Sequence, residues 1–292
     1  VLDPLYYAVS GVMWLWHQLF ALVLGPTSGA AWALAVAFLV LTLRALMIRP
    51  FLAQMRTARA ARAIAPQLAE LRKQHRGDPA TMVAKTRALQ AEHGVSTWRT
   101  FLPVLVQTPV LLALLHVLHS FNRPGLTFEQ NAAIANYAFG PDEVRSFLTA
   151  RLFGAPLSAY LQMPQDLLDS FGAHVDRLDV AVVVLPLLLL AAAATFLTTR
   201  NSMRTQTTPE GVPPGVMRAM PYVFPLGLLA AGLLFPLPVA ILVYWLTNNA
   251  WTLAQQHVAA RYLDRRTEPV PPPRAPVAPP RPGAKPVRRR PA

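Results

Sequence analysis

The sequence predicts an all-α membrane protein: a five-transmembrane-helix bundle with a cytoplasmic helical hairpin and a peripheral interfacial helix. Three observations carry that prediction. Of 292 residues, 53% are hydrophobic and only 14% charged, and the apolar residues gather in long uncharged runs; a helix needs roughly 20 such residues to cross the hydrocarbon layer. Lysine and arginine concentrate in alternate connections between those runs, the bias that fixes the orientation of a multi-span chain. Between the first two runs the pattern changes to a basic stretch with one narrow apolar stripe, as in a helix outside the membrane. Cysteine is absent, which sets aside disulfides, thiolate metal sites, a thiol nucleophile and a lipid-modified cysteine anchor.

The elements follow in order. Residues 1–28 mix Tyr6, Tyr7, Trp14, Trp16 and Phe20 with His17 and Gln18. Aromatic side chains with polar tips favour the headgroup region, so this stretch reads as an extracytoplasmic interfacial helix ending at Gly25-Pro26, with a sixth span as the alternative. It lacks the basic leader and small-residue cleavage site of a secretory signal. The spans are expected at 29–49, 98–118, 180–199, 219–235 and 238–257. Residues 50–97 form the cytoplasmic hairpin, 119–179 an extracytoplasmic segment and 200–218 a cytoplasmic loop. Residues 258–292 are a basic, proline-rich tail that cannot pack a core and is expected to be disordered.

Charge orients the bundle. Residues 44–99 carry eleven basic against three acidic residues, 200–218 three against one, and the chain after 258 nine against two, whereas 119–179 carries four against seven. The positive-inside rule therefore places the N-terminus outside and the C-terminus in the cytoplasm of a plasma-membrane protein. The net charge of +13 is mostly this topology signal.

Within the hairpin, Phe51, Met55, Ala58, Ile64, Leu68 and Leu71 recur at three-to-four spacing. Pro66 removes a helical hydrogen bond there, and a kink or restart is expected. Asp78 is placed to cap a second helix starting at Pro79 and stopping at Gly94. Such a hairpin either lies on anionic lipid or docks a protein, and the spacing does not separate the two.

Arg44, five residues before Arg49, interrupts the first span. Read from the residues alone, it either snorkels to the cytoplasmic interface or serves as a charge inside the bundle. Gln107 between Pro103 and Pro109 either satisfies freed carbonyls or lines a polar path. Thr195, Thr198 and Thr199 are by default glue between helices. Tyr244 and Trp245 sit deeper than an interfacial belt requires, roughly 9 Å from Leu237 at the rise of an α-helix. His116 and His119 share a helix face, but no third ligand is near in sequence.

The pieces LTLRALMIRPF, HGVSTWRTFLPVLVQTPVLLALLHVLHSFNRPG and FPLPVAILVYWLTNNAWTLAQQH, in that order, resemble the YidC/Oxa/Alb family of membrane protein insertases, most closely its actinobacterial YidC type. The family pattern is met by Arg44, the 51–93 hairpin, Leu102-Pro103 with Gln107 and Pro109, and Tyr244-Trp245 followed by Thr247, Asn248, Asn249 and Gln255-Gln256. VSTWRT (95–100) departs from the asparagine-proline-leucine-glycine-glycine turn of most relatives. The resemblance implies a hydrophilic groove open to cytoplasm and lipid, lined by Arg44, Gln107, Thr195, Tyr244, Trp245 and Asn248. It implies a non-enzymatic insertase and chaperone acting on nascent membrane-protein clients, independently of or together with the Sec translocon. Membrane lipids are partners, and the basic tail (Arg261, Arg265, Arg266, Arg288, Arg289, Arg290) is implied to contact the ribosome, anionic lipid being the alternative. No cofactor or metal is expected, because no phosphate-binding loop, paired carboxylates or metal cluster is present in the sequence. Two other classes stay open at this point. A small multi-span transporter would normally need intramembrane acids, and the five spans contain none; a membrane scaffold docking ribosomes would need only the tail.

Overall fold

A computed structural model describes residues 2–75, 77–123, 125–171, 175–205 and 214–266. The chain begins with α1 (Asp3–Leu24) and turns at Gly25-Pro26 into α2 (Gly29–Leu46). After one non-helical residue, Met47, α3 (Ile48–Gln74) begins, and α4 (Pro79–Glu92) returns beside it. α5 (Thr97–His119) leads to a compact connecting segment, 120–176, that holds α6 (Phe128–Ala132), α7 (Pro141–Thr149), an antiparallel hairpin of β1 (Arg151–Leu152) and β2 (Ala155–Pro156), and α8 (Gln165–Asp169). Three long helices follow: α9 (Arg177–Thr205), α10 (Pro214–Leu234) and α11 (Val239–Arg266). α11 packs against α9 and α2, α10 lies on α9, and α1 crosses onto α2 and α5.

Among the described residues, four helices are long and apolar enough to cross a membrane: Asp3–Leu24, Gly29–Leu46, Arg177–Met203 and Gly215–Leu234. α5 contributes the shorter apolar stretch Leu105–His119. α11 has 28 residues, ample length for a span, and its apolarity is diluted by Thr247, Asn248, Asn249, Gln255 and Gln256. α1 meets the length criterion, and its contacts with α2 run from the first turn to Phe38 and to Thr42, whose hydroxyl accepts from the Trp16 indole at 3.0 Å. Tyr6 stacks on His116, three residues before the end of α5, and His17 stacks on Trp32 in the first turn of α2.

The break at Met47 has a local cause. Pro50 has no N–H to donate to the Leu46 carbonyl and its ring crowds that carbonyl, so one straight helix through 46–50 is disfavoured. The hairpin accordingly starts at Ile48, slightly before the expected 50. The Asp78 carboxylate accepts from the Thr81 N–H at 3.1 Å, and α4 ends where Gly94 takes φ +65°. Pro66 lies inside α3 without breaking it. The tail beyond 266, with Arg288, Arg289 and Arg290, lies outside the described residues.

The densest packing is around the start of α2. Trp32, with no solvent exposure, is surrounded by His17, Phe121, Phe139 and Phe147 at ring-centre distances of 3.6 to 5.8 Å. Its indole N–H donates to Ser146 Oγ (3.0 Å), which in turn donates to the Pro26 carbonyl. The segment between α5 and α9 also caps helix ends, whose terminal N–H and C=O groups have no partner within the helix. The Val239 and Ala240 N–H groups donate to Ala159 and Leu157 carbonyls, both at 3.0 Å. Gln162 donates to the Gly232 carbonyl and Asn136 to that of Val117. Gly29 presses so closely on the Arg151 carbonyl that a Cβ there would lie 1.8 Å from its oxygen.

Candidate functional site

One hairpin, β1–β2, sets a common level for the starts of α2 and α11: Gly29 abuts Arg151, and Ala240 donates to Leu157 just after β2. Depths along the two helices are therefore comparable. Arg44 lies 15 residues below Gly29, about 22 Å at 1.5 Å per residue, while Asn248 lies about 13 Å below Val239. The guanidinium spans that difference: its Nε donates to Asn248 Oδ1 at 3.0 Å and Nη2 donates to the same oxygen. Side chains of an α-helix lean toward its N-terminus, which here is the Gly29 end. Arg44 thus points into the middle of the bundle, toward the Gly29 end of α2.

Arg44 is partly buried, and it shares a cavity of about 130 Å³ with Gln107 from α5 and with Tyr244 and Asn248 from α11. Tyr244 and Asn248 are one helical turn apart on the same face, and Gln107 hydrogen-bonds Tyr244. The rest of the wall is apolar, with Val40 and Leu43 from α2 and Val106, Val110 and Leu114 from α5. From the cavity to the first turn of α2, Val40, Leu39, Val36, Ala35 and Trp32 are all buried. One face of the site is a cation held by a neutral amide; the other is greasy wall.

Thr195 and Trp245 do not line this cavity. Asn249, one residue along and about 100° around α11 from Asn248, donates to Thr195 Oγ1 on α9 (3.3 Å) and to its own Trp245 carbonyl (3.0 Å). Asn201 donates to Gln256 Oε1, and Gln256 Nε2 donates to Ser202 Oγ. Asn249 and Gln256 therefore form a polar seam holding α11 to α9, a role that sequence reading missed. Its signal was the seven-residue spacing of the two, which keeps them on one face. The histidines have separate partners: His116 Nε2 lies 2.7 Å from the Tyr137 hydroxyl and His119 Nδ1 lies 2.8 Å from the Leu115 carbonyl. Among the described residues no group of three or more metal-ligating side chains gathers.

Fold and cavity together define a multi-pass helical membrane protein with a positive charge held inside its bundle. The family model described as 60Kd inner membrane protein matches residues 23–266. The membrane protein insertase YidC of Mycolicibacterium paratuberculosis is 42% identical over 277 residues, covering 91% of this chain and 77% of the relative. That of Mycobacterium tuberculosis is also 42% identical, over 91% of this chain and 75% of the relative. The insertase of Corynebacterium glutamicum is 35% identical over 91% and 65%. The chain belongs to the 60Kd inner membrane protein family, to which the YidC insertases belong.

Proposed function

We propose that the protein inserts client membrane proteins into the plasma membrane and helps them fold, using the Arg44 cavity as the inner end of a hydrophilic groove open to cytoplasm and lipid. The observation that carries this reading is the direction of Arg44, held by Asn248 toward the middle of the bundle. A cation facing water inside the membrane costs far less than one facing hydrocarbon. It attracts the polar or acidic segment of a client, so the layer that segment must cross is effectively thinner. The client's apolar helix then leaves into lipid, where burial stabilises it by about 0.8 kcal/mol per CH₂. A membrane potential negative inside pulls each outward-moving acidic residue with about 2.3 kcal/mol per 100 mV. No covalent step enters the sequence of events.

In this reading α2, α5, α9, α10 and α11 span the membrane, α1 lies along the outer surface, and the N-terminus is outside with the C-terminus in the cytoplasm. The stacking of Tyr6 on His116 and of His17 on Trp32 supports its placement, while Trp16 and Phe20 reach along α2 to Phe38 and Thr42. Tyr244 lies beside Arg44 in the groove; Thr195 and Trp245 act from the α9–α11 seam. The Sec translocon is a partner for some clients. Of the basic tail, the part beyond residue 266, with Arg288, Arg289 and Arg290, contacts the ribosome. Salt-sensitive co-sedimentation with ribosomes, lost on truncation after residue 266, tests that last point.

The groove itself is tested by insertion of a client panel with Arg44→Ala, Arg44→Glu and Arg44→Lys, alongside photocrosslinking from positions 44, 107 and 244 to a nascent client. Arg44→Ala is expected to lower insertion of clients with polar translocated segments about ten-fold, the weight of one charged hydrogen-bonding group, while the protein still accumulates in the membrane. Arg44→Lys is milder because charge matters more here than fork geometry. Normal insertion of every client with Arg44→Ala, or crosslinks to lipid alone, would remove the mechanism.

A further inference from the structure

A second cavity, about 330 Å³, lies where α3 begins and α11 ends. Ile48, Phe51 and Leu52 line it from α3, and Trp251, Ala254 and Val258 from α11. Gln255 also borders it, and its amide oxygen accepts from Trp251 Nε1 at 2.9 Å, so the polar end of that side chain is already engaged. The cavity continues one stripe of α11: residues 244, 248, 251, 255 and 258 alternate at spacings of four and three and stay on one face. Its depth is set by the same helix. Trp251 lies about 18 Å and Val258 about 28 Å below Val239, the inner part of a hydrocarbon layer of about 30 Å.

Cations flank this greasy slot. On α3, Arg49 and Arg56 lie about 100° and 80° around the helix from Ile48, next to the lining face. Arg261 follows Val258 by one turn on α11. All three are exposed, and none has a hydrogen bond or ion pair among the described residues. An apolar slot opening at the cytoplasmic boundary beneath unpaired guanidinium groups matches a lipid with an anionic headgroup. A client helix fits less well, because its own cytoplasmic lysines and arginines would meet like charge.

We propose that this pocket binds an anionic glycerophospholipid of the cytoplasmic leaflet, one acyl chain between α3 and α11 and the phosphate among Arg49, Arg56 and Arg261. The inference rests on the span placement proposed above. Bound there, the lipid braces the junction next to Leu46 and Met47, which line the Arg44 cavity. Lipid identity would then bear on the width of the groove.

Native mass spectrometry of the full chain in detergent, titrated with phosphatidylglycerol or phosphatidylcholine, tests the proposal. Phosphatidylglycerol is expected to be retained where phosphatidylcholine is not. Ala254→Phe, which fills the slot, abolishes that retention, with an unchanged melting temperature as the folding control. Arg49→Gln and Arg56→Gln, at exposed positions outside the packing, each lower phosphatidylglycerol affinity about five-fold and leave phosphatidylcholine unaffected. Equal retention of the two lipids, or loss of neither discrimination nor binding in the arginine variants, overturns the headgroup assignment. Retention unchanged in a folded Ala254→Phe protein overturns the pocket. Crosslinks from position 52 to a nascent client instead of lipid overturn the choice of occupant. A cysteine placed at 258 in this cysteine-free chain reports the topology separately: labelling from the outer face would sink the span placement itself, whatever the lipid titration shows.

Discussion

The two ends of the bundle are built by opposite rules. At the Trp32 end, Trp32, Phe121, Phe139, Phe147, Leu157, Met163 and Leu168 are almost wholly enclosed, and carbonyls and amides of the 119–179 segment close the ends of α5, α10 and α11. At the end that carries the helical hairpin, α4 buries no residue, α3 buries only Thr57 and Ile64, and two cavities lie along one stripe of α11. The contrast teaches how a small bundle can keep a charge among its helices and still hold its shape. Close packing resists local deformation, so the Trp32 end holds the helices together while cavities open between them toward the hairpin.

Four substitutions would break or sharpen that contrast. The largest effect is expected at Trp32. Trp32→Ala removes the centre of the aromatic cluster and its bond to Ser146, and should destabilise the protein by about 3–5 kcal/mol in detergent unfolding. A loss no greater than at an exposed lipid-facing residue would mean that the Trp32 end is not the anchor. Gly29→Ala comes next. Its methyl group meets backbone rather than a flexible side chain, so α2 and the β-hairpin must separate, at about 1–3 kcal/mol by the same measurement.

The seam between α9 and α11 is weaker, because interhelical hydrogen bonds in membranes contribute little individually. Asn249→Ala is expected to cost about 0.6–1.7 kcal/mol, with coupling to Thr195→Val in a double-mutant cycle. Additivity of the two would show that Asn249 serves its own helix only. The smallest effect on the bundle belongs to Asp78→Ala, at the tip of the hairpin. There hydrogen exchange of α4 should accelerate several-fold with the melting temperature unchanged. The hydrogen bonds from the Thr81 side chain and backbone hold the Asp78 carboxyl below its ordinary value. A lowered folded-state value means that the cap is fully effective above the ordinary carboxylate range, near 4, and is lost as pH falls through the lower folded value. Exchange of α4 measured against pH should show faster opening only in acid; acceleration between pH 5 and 8 would contradict the cap.

Much of this architecture was legible in the chain. The apolar runs, the Asp78-Pro79 start, the Gly94 stop and the polar residues of the last helix follow from local rules about solvation and backbone hydrogen bonding. The start of the hairpin at Ile48 was nearly so, since Pro50 acts four residues back in the chain. Membrane candidacy is less clean at both ends of the scale: α1, expected at the interface, is long and apolar enough to span, and α11, expected to span, is long but polar.

What the sequence determined by itself is therefore composition along each helix: which residues repeat, where a helix can start or stop, and that a cation lies near the end of the first long apolar run. Only the tertiary structure decided where those side chains go. Asn248 and Asn249 are neighbours in sequence, yet one meets Arg44 and the other Thr195, because a turn of about 100° per residue sends them to different helices. Arg44 and Arg49 look alike as letters. The first points toward the bundle centre because its partner sits higher on a helix 204 residues away, and no local pattern encodes that pairing.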